Sequence, residues 1–405
     1  MTRMKDSGIE WIGEVPEEWG ITKLKYICRM QSGNNLTSLE ISSENDGGKI
    51  FPVYGGNGQR GYYSDFTNEG NYCLVGRQGA LAGNVHFVSG KFWATDHAIV
   101  VYEHTHTYSK YLCYLLKAMN LNQYAFETSA QPGLSVEKIL QLEMIHCPKG
   151  EQTQIADFLD KKVAQLDEVK SLLEEQIKTL EDYRRSLIYE TVTKGLDKTV
   201  PLKDSGVDWI GQIPEGWEVK KHKYIMSKTK TLCSHYSGQK ILSLTRQGVI
   251  SRDVESGKGK MPASFDGYQF LTRGDLLLCL FDIDVTPRCV GVVESDGLTS
   301  PAYSRFKVSE DSSVYYYYYL FLSMDDDKVL LHLAKNLRNS LTEDDFGDIE
   351  TIVPSYKEQV IIANYLNKKT LLIDKLIKLK KEQIENINKQ RQTLIYDYVT
   401  GKRRV

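Results

Sequence analysis

Residues 5–27 read KDSGIEWIGEVPEEWGITKLKYI, and residues 203–225 read KDSGVDWIGQIPEGWEVKKHKYI. At a constant offset of 198, 14 of these 23 positions are identical, and most of the rest are conservative exchanges such as Ile9/Val207 and Val15/Ile213. Self-similarity over such a distance marks a repeated structural unit. The match resumes further along at an offset of 207, pairing Glu151-Gln152 with Glu358-Gln359, Ile155-Ala156 with Ile362-Ala363, and Leu159 with Leu366. It continues through Arg184/Arg391 and Leu187-Ile188-Tyr189/Leu394-Ile395-Tyr396 to Val192-Thr193/Val399-Thr400. Between these ends, residues 28–130 and 226–338 share little order, and the change of offset from 198 to 207 makes the second copy nine residues longer there. Like ends with unlike middles predict one scaffold carrying two different working surfaces.

Each copy closes on a long helix. From Gln152 to about Lys194 there is no Gly or Pro, and leucines recur every seven residues at 159, 166, 173, 180 and 187, with Val163, Val169, Leu172 and Ile177 filling neighbouring positions. This is a heptad seam, and about 43 residues at ~1.5 Å each predict roughly 65 Å of helix. The second helix, about Glu358 to Val399, keeps the seam at Leu366, Ile373, Ile387 and Leu394, with Lys380 replacing one leucine. The two helices are expected to pack against each other, antiparallel, because a lone helix of that length cannot bury its stripe on one small domain. The alternative is that each covers only its own domain.

The middles read as strands with turns. FPVYGGNGQRGYYSDF (51–66), NYCLVGRQGALAGNVHFV (71–88) and KFWATDHAIVVYE (91–103) mix β-branched and aromatic residues with Gly-rich turns. GDLLLCLFDID (274–284), RCVGVVES (288–295) and SRFKVSE (304–310) do the same in the second copy. A helix then follows in each, over 108–120 and 314–326. Ser135 and Thr342 are placed to cap short helices, and a strand ending near Pro148 or Pro354 leads into each long helix. The five tyrosines Tyr315 to Tyr319 would be spread round a helix, which favours core and surface roles over a stacking platform. The fold class is therefore α+β with mixed sheets and a pseudo-two-fold internal repeat. Expected boundaries are a first globular domain over 1–150, a first long helix over 151–197, a second domain over 198–356 and a second helix over 357–405.

Bulk properties narrow the function classes. At 405 residues the chain exceeds what one core supports. No apolar run approaches the roughly 20 residues of a membrane helix, and the charged N-terminus lacks a signal stretch, so a cytoplasmic protein with no membrane partner is expected. Seven cysteines form no CxxC pair, which fits reduced, buried thiols better than zinc or disulfides. A net charge of −2 argues against a polycation coating nucleic acid but leaves room for local basic patches.

No phosphate-binding GxxxxGK[ST], dinucleotide GxGxxG or HExxH motif is present. Asp282 and Asp284 form an isolated DxD near Arg288, more often a turn feature than a metal site. Asp96-His97 reads as structural, since no nucleophile stands at a recognisable spacing. No catalytic group, cofactor or metal is expected. Recognition surfaces are easier to find. The loop Gly55 to Tyr63 carries Asn57, Gln59, Arg60 and Tyr62, and the turn Gly76 to Gly79 carries Arg77 and Gln78. Asn, Gln and Arg read base edges through paired hydrogen bonds, although plain turn chemistry explains either stretch alone. Residues 220–260 hold ten Lys/Arg against two acidic residues, including Arg246, Arg252, Lys258 and Lys260 beside Gln247. That excess in a near-neutral chain points to phosphate contact, a solvated face being the bland alternative.

Taken together, the two KDSG…WIG…P segments, PVYGGNGQRGYY, GRQGALAGNV, KFWATDHAIVV, CLFDIDVTPRCVG and the EQ…IA…L helix starts resemble the specificity subunit of type I restriction-modification systems, over the whole chain and in order. The resemblance implies two target-recognition domains, each reading one half of a split, asymmetric site in double-stranded DNA. It implies paired helices that space them and dock two copies of a DNA methylation subunit, with a motor-nuclease restriction subunit joining for cleavage. S-adenosylmethionine chemistry would belong to those partners. The residues expected to touch DNA are then Asn57, Gln59, Arg60, Tyr62, Arg77, Gln78, Arg246, Gln247, Arg252, Lys258, Lys260 and Arg288. The competing reading is a structural adaptor whose globular ends bind protein.

Overall fold

The computed structural model describes residues 3–79, 81–128, 131–254, 262, 264–334 and 339–405. The chain folds as two compact units, Met1–Leu173 with Lys381–Val405, and Glu174–Lys380. The principal helices are α1 (Ser109–Ala118), α2 (Lys149–Lys194), α3 (Val314–Asp326) and α4 (Tyr356–Val399). The division between units passes through both α2 and α4, so each unit is completed by a helix segment from the other copy of the repeat. No helix among the described residues is long and apolar enough to cross a membrane.

Unit 1 is built on a six-stranded sheet of β1 (Cys28–Ser32), β2 (Phe51–Gly55), β3 (Gly58–Tyr63), β4 (Asn68–Gly76), β5 (Val85–Ala94) and β6 (Ala98–Glu103), in the order β1-β6-β4-β5-β2-β3. Its ladders are antiparallel except β2 beside β5, where Val53 faces Trp93 and Tyr54 faces Ala94 in parallel. The sheet is therefore mixed. Successive residues of a strand point to opposite faces, and both faces here are covered. Cys73, Val75, Ile99 and Val101 join the main core with α1, while Leu74, Val88, Phe92 and Val100 form a second cluster on the other side. This explains why residues 73–76 are buried without alternation.

Unit 2 repeats the plan with shorter strands. A four-stranded antiparallel sheet of β7 (Met226–Lys228), β8 (Leu276–Leu278), β9 (Val290–Val292) and β10 (Ser304–Val308) runs in the order β7-β10-β8-β9. Leu276, Leu278 and Val290 face the main core, while Leu277 and Val293 face a smaller cluster. Among the described residues of this unit, parallel pairing survives as a single bridge, Ile241 with Leu298. Arg305 and Asp275, almost fully buried, approach to 2.6 Å, and Arg305 also donates to the Phe270 carbonyl and the Thr272 hydroxyl. Three of the five tyrosines of α3 (Tyr316, Tyr317 and Tyr319) are core residues, and Tyr315 and Tyr318 are partly buried beside them.

The repeated ends fold alike. In unit 1, Trp19 Nε1 donates to Glu151 (3.0 Å) and the Tyr396 hydroxyl donates to the carbonyls of Trp11 and Ile12 (3.1 Å each). In unit 2, Trp217 Nε1 donates to Glu358 (3.3 Å) and the Tyr189 hydroxyl to the Ile210 carbonyl (3.2 Å). Each N-terminal ribbon is thus closed by the helix end of the other copy. Ser135 and Thr342 both cap their short helices, Thr342 in a reciprocal box with Asp345.

Within each unit the helix segments run antiparallel. Phe158 stacks near Tyr398 and Asp167 faces Arg391 (3.4 Å) in unit 1; Arg184 faces Asp374 (3.2 Å) in unit 2. Both ion pairs join the same two repeat positions. The seam falls where the heptads put it, with Leu159, Val163 and Ile177 buried on α2 and Leu366, Ile373 and Ile377 on α4. Val169 and Leu172 are an exception, being about half exposed. They stand beside the seam rather than in it, because the half-buried series steps from 166 to 170 to 173. Lys380, the seam lysine, donates to Gln176 (2.6 Å).

Candidate nucleic-acid interface

The stretch Gly55 to Tyr63, expected as a loop, is mostly strand. Gly55 pairs with Gly58 across a two-residue turn of Gly56 and Asn57, so Gln59, Arg60 and Tyr62 stand on β3. Two-residue connections are the tight hairpin solution, and GGNG supplies the residues that tolerate it. Next to this turn, β4 ends at Gly76. A Cβ on Gly76 would lie 2.3 Å from the Gly56 carbonyl oxygen and 2.7 Å from that of Leu81. Only glycine admits this approach, and it brings the hairpin turn against the Arg77–Gly79 segment.

The result is an open cleft of about 420 Å³ whose lining includes Asn57, Gln59, Arg60, Gln78 and His97. Four residues singled out in the sequence from two separate stretches therefore share one surface. Gln59, Arg60 and Gln78 are exposed. Arg60 reaches Ser38 Oγ (3.4 Å), and Asn84 donates to the Asn57 side-chain oxygen (3.3 Å), which steadies the turn. Arg77 and Tyr62 lie outside the lining. Arg77 is half-buried, its N–H donating to the His97 carbonyl and its carbonyl accepting from Leu134, while Tyr62 bridges to Ser42 through its backbone. His97, read from the sequence as structural, also lines the cleft. A lone histidine in WATDHA has no spacing partner to mark it; only the fold puts it beside Gln78.

In unit 2, Arg246 and Gln247 form the exposed two-residue turn of the hairpin Leu242–Thr245 with Gly248–Ser251. Thr245 braces it, its hydroxyl accepting from the Gln247 N–H (3.1 Å) and donating to the Gly248 carbonyl (3.0 Å). Arg252 is half-buried with its N–H on the Ile241 carbonyl (2.8 Å). Lys258 and Lys260 lie outside the described residues. Arg288 stands elsewhere, in the field of Asp326 on α3. Burial pushes that carboxyl above its ordinary range, and Arg184, Arg185 and Arg288 oppose the rise.

Much of the basic run is neutralised locally. Lys220 pairs with Glu218 (2.7 Å), Lys221 and Lys223 with Asp348 (3.1 and 2.7 Å), and Lys228 with Glu343. Hydrogen bonds from Lys223 and then Lys221 hold the Asp348 carboxyl low. The first part of the run thus binds its own domain, and among the described residues the exposed cations outside these pairs include Lys230, Lys240 and Arg246 at the hairpin tip. All seven cysteines are buried free thiols; burial raises Cys28 and Cys147 to about 12, which makes them poor nucleophiles.

Residues 16–180 match the family described as the type I restriction modification DNA specificity domain. The chain is 41% identical over 138 residues, 34% of each chain, to the EcoprrI type I restriction enzyme specificity subunit of Escherichia coli. It therefore matches about a third of that relative's length. Over 97% of its own length and 96% of the other it aligns at 24% identity with the protein assigned as the MjaX type I restriction enzyme specificity subunit of Methanocaldococcus jannaschii. A solved chain from a study of complex assembly and conformational transition of the type I R-M system shares the fold, with a TM-score of 0.66 and 13% identity over 96% of this chain and 99% of that one. The duplicated scaffold, the fold and these matches agree: residues 16–180 match the type I restriction modification DNA specificity domain, and the chain as a whole is similar to type I restriction-modification specificity subunits.

Proposed function

We propose that this chain is the DNA-reading, non-catalytic subunit of a type I restriction-modification complex. Unit 1 reads one half of a bipartite, asymmetric site in double-stranded DNA, and unit 2 reads the other. The observation that carries this reading is the cleft gathering Asn57, Gln59, Arg60 and Gln78. These are the side-chain types that make bidentate contacts to purine edges in the major groove. The corresponding surface of unit 2 is a different hairpin with Arg246 and Gln247 at its tip. Unlike surfaces on a like scaffold read unlike half-sites.

The long helices set the spacing between half-sites and dock two copies of the methylation subunit, with the motor-nuclease subunit joining for restriction in the cytoplasm. Support comes from α4, where Leu371, Leu372, Leu376 and Leu379 are 46–71% exposed. A run of exposed leucines on one helix fits a protein partner. The partners supply the cofactor and the chemistry.

The test is substitution within the cleft. Arg60→Ala with Gln78→Ala, expressed with the methylation subunit, should alter the methylated motif at one half-site and leave complex assembly intact. An unchanged motif would remove these residues from the reading surface.

A further inference from the structure

Unit 1 contains a second cavity, about 620 Å³ and half open, between α1 and the last turns of α4. Its lining brings Lys117 and Arg391 together with Asn84, Asn120, Asn122 and Gln392, and includes no carboxylate. It adjoins the reading cleft: Asn84 of its wall donates to Asn57, and the ring of His86, another wall residue, would lie 3.5 Å from a Cβ at Gly58.

The bland role for Lys117 is to complement the C-terminal end of α1, where a cation is favoured. Its Nζ also lies 5.5 Å from the Tyr114 ring centroid. Three carbonyls at that end are already taken, however. Leu115 accepts from the Met119 N–H, Lys117 from the Asn120 N–H, and Met119 from the Gln123 side chain.

The duplication supplies a control. Tyr111 and Tyr316 donate to the carbonyls of Val399 and Val192, and Tyr114 and Tyr319 reach Asp160 and Asn367, so α1 and α3 are equivalent at an offset of 205. Arg391 matches Arg184, and each faces its own aspartate across the helices. In unit 2 a further internal anion, Asp326, stands in the field of Arg184, Arg185 and Arg288. Lys117 replaces the buried Leu322. Unit 1 thus carries an added cation beside an open cavity where unit 2 buries a leucine.

We propose that this cavity binds a phosphate of the DNA backbone flanking the half-site read by unit 1, with Lys117 and Arg391 as the charge and the carboxamides as neutral donors. This rests on the DNA-reading function above and assigns its register device: phosphate contacts position a reader on the duplex while base contacts specify. Unit 2 places the buried Leu322 at the position of Lys117, so the two half-sites are gripped unequally.

The experiment uses the complex with its methylation subunit and a duplex carrying the motif that the complex methylates. Binding is measured against salt for the wild type, Lys117→Ala and Lys117→Arg. Lys117→Ala is expected to weaken binding to cognate and unrelated duplexes alike and to reduce the salt slope by about one. The methylated motif should not change, and Lys117→Arg should keep the wild-type slope. A Lys117→Ala complex with wild-type affinity and slope overturns the phosphate site while leaving the DNA reading in place. A wild-type complex that binds no duplex overturns that reading and this inference with it.

Discussion

His222 stands where the first copy of the repeat has Leu24, and both side chains are fully buried. Its Nδ1 lies 2.9 Å from the Phe346 carbonyl oxygen, and its ring packs against Phe321 and Phe346. Burial lowers its pKa from 6.5 to about 4, opposed by the bond to Phe346. The unfolded chain therefore takes up a proton at higher pH than the native one. Stability from this site is complete above 6.5 and is lost as pH falls towards 4, by about 3 kcal/mol at most. His222→Leu, which restores the residue of the first copy, should flatten the unfolding free energy between pH 6.5 and 4 relative to the wild type. Equal pH slopes for the two proteins in denaturant titrations would contradict this. Gly401 follows α4 with φ +71°, and a Cβ there would meet the Pro16 ring at 2.6 Å and Trp19 at 3.0 Å. Gly401→Ala is expected to destabilise unit 1 by about 1–3 kcal/mol through strain and overpacking, measured as a lowered unfolding midpoint. Residue-scale features set by near neighbours were legible in the sequence, as the caps at Ser135 and Thr342 show. Those set by distant partners were not: nothing near Arg288 in sequence announces Asp326, and nothing near His97 announces Gln78.

At the scale of elements, the long helices are held by their seams rather than by the ion pairs that flank them. Leu159 and Leu366 are fully buried, whereas Asp167 and Asp374 are about half exposed. Truncating a buried leucine costs roughly 2–5 kcal/mol, while partly exposed ion pairs contribute up to about 1 kcal/mol. Leu366→Ala should therefore lower stability severalfold more than Asp374→Asn in chemical denaturation, and comparable losses would show that charge orders the helix pair. Heptad spacing revealed the seam because its 3.5-residue period repeats for many turns. It did not separate Val169 and Leu172 from the seam, because leucine and valine also occupy exposed flanks. The Gly55–Tyr63 stretch was misread as a loop for a local reason. Its glycines signal turns, yet only Gly56 and Asn57 are needed for one, and the remaining residues pair as strand.

At the scale of the molecule, the duplication explains both what is shared and what is not. Repeated ends build the same Trp–Glu and Tyr–carbonyl ties in both units, and the divergent middles carry the six-stranded sheet of one and the four-stranded sheet of the other. Replacing residues 28–130 with the equivalent region of a relative should consequently change one half-site and leave the other unchanged. A change in both would sink the modular account. The architecture was legible because a 14-in-23 identity at fixed offset has no competing explanation. The contacting side chains were less so, since Asn, Gln and Arg serve turns as readily as bases.

The most direct test is methylome sequencing of a host carrying this chain with its methylation partner. The expected result is one bipartite motif of two unlike half-sites at a constant spacing, absent when this chain is deleted. A continuous or palindromic motif, or one that persists without the chain, would contradict the claim that its two unlike units read DNA.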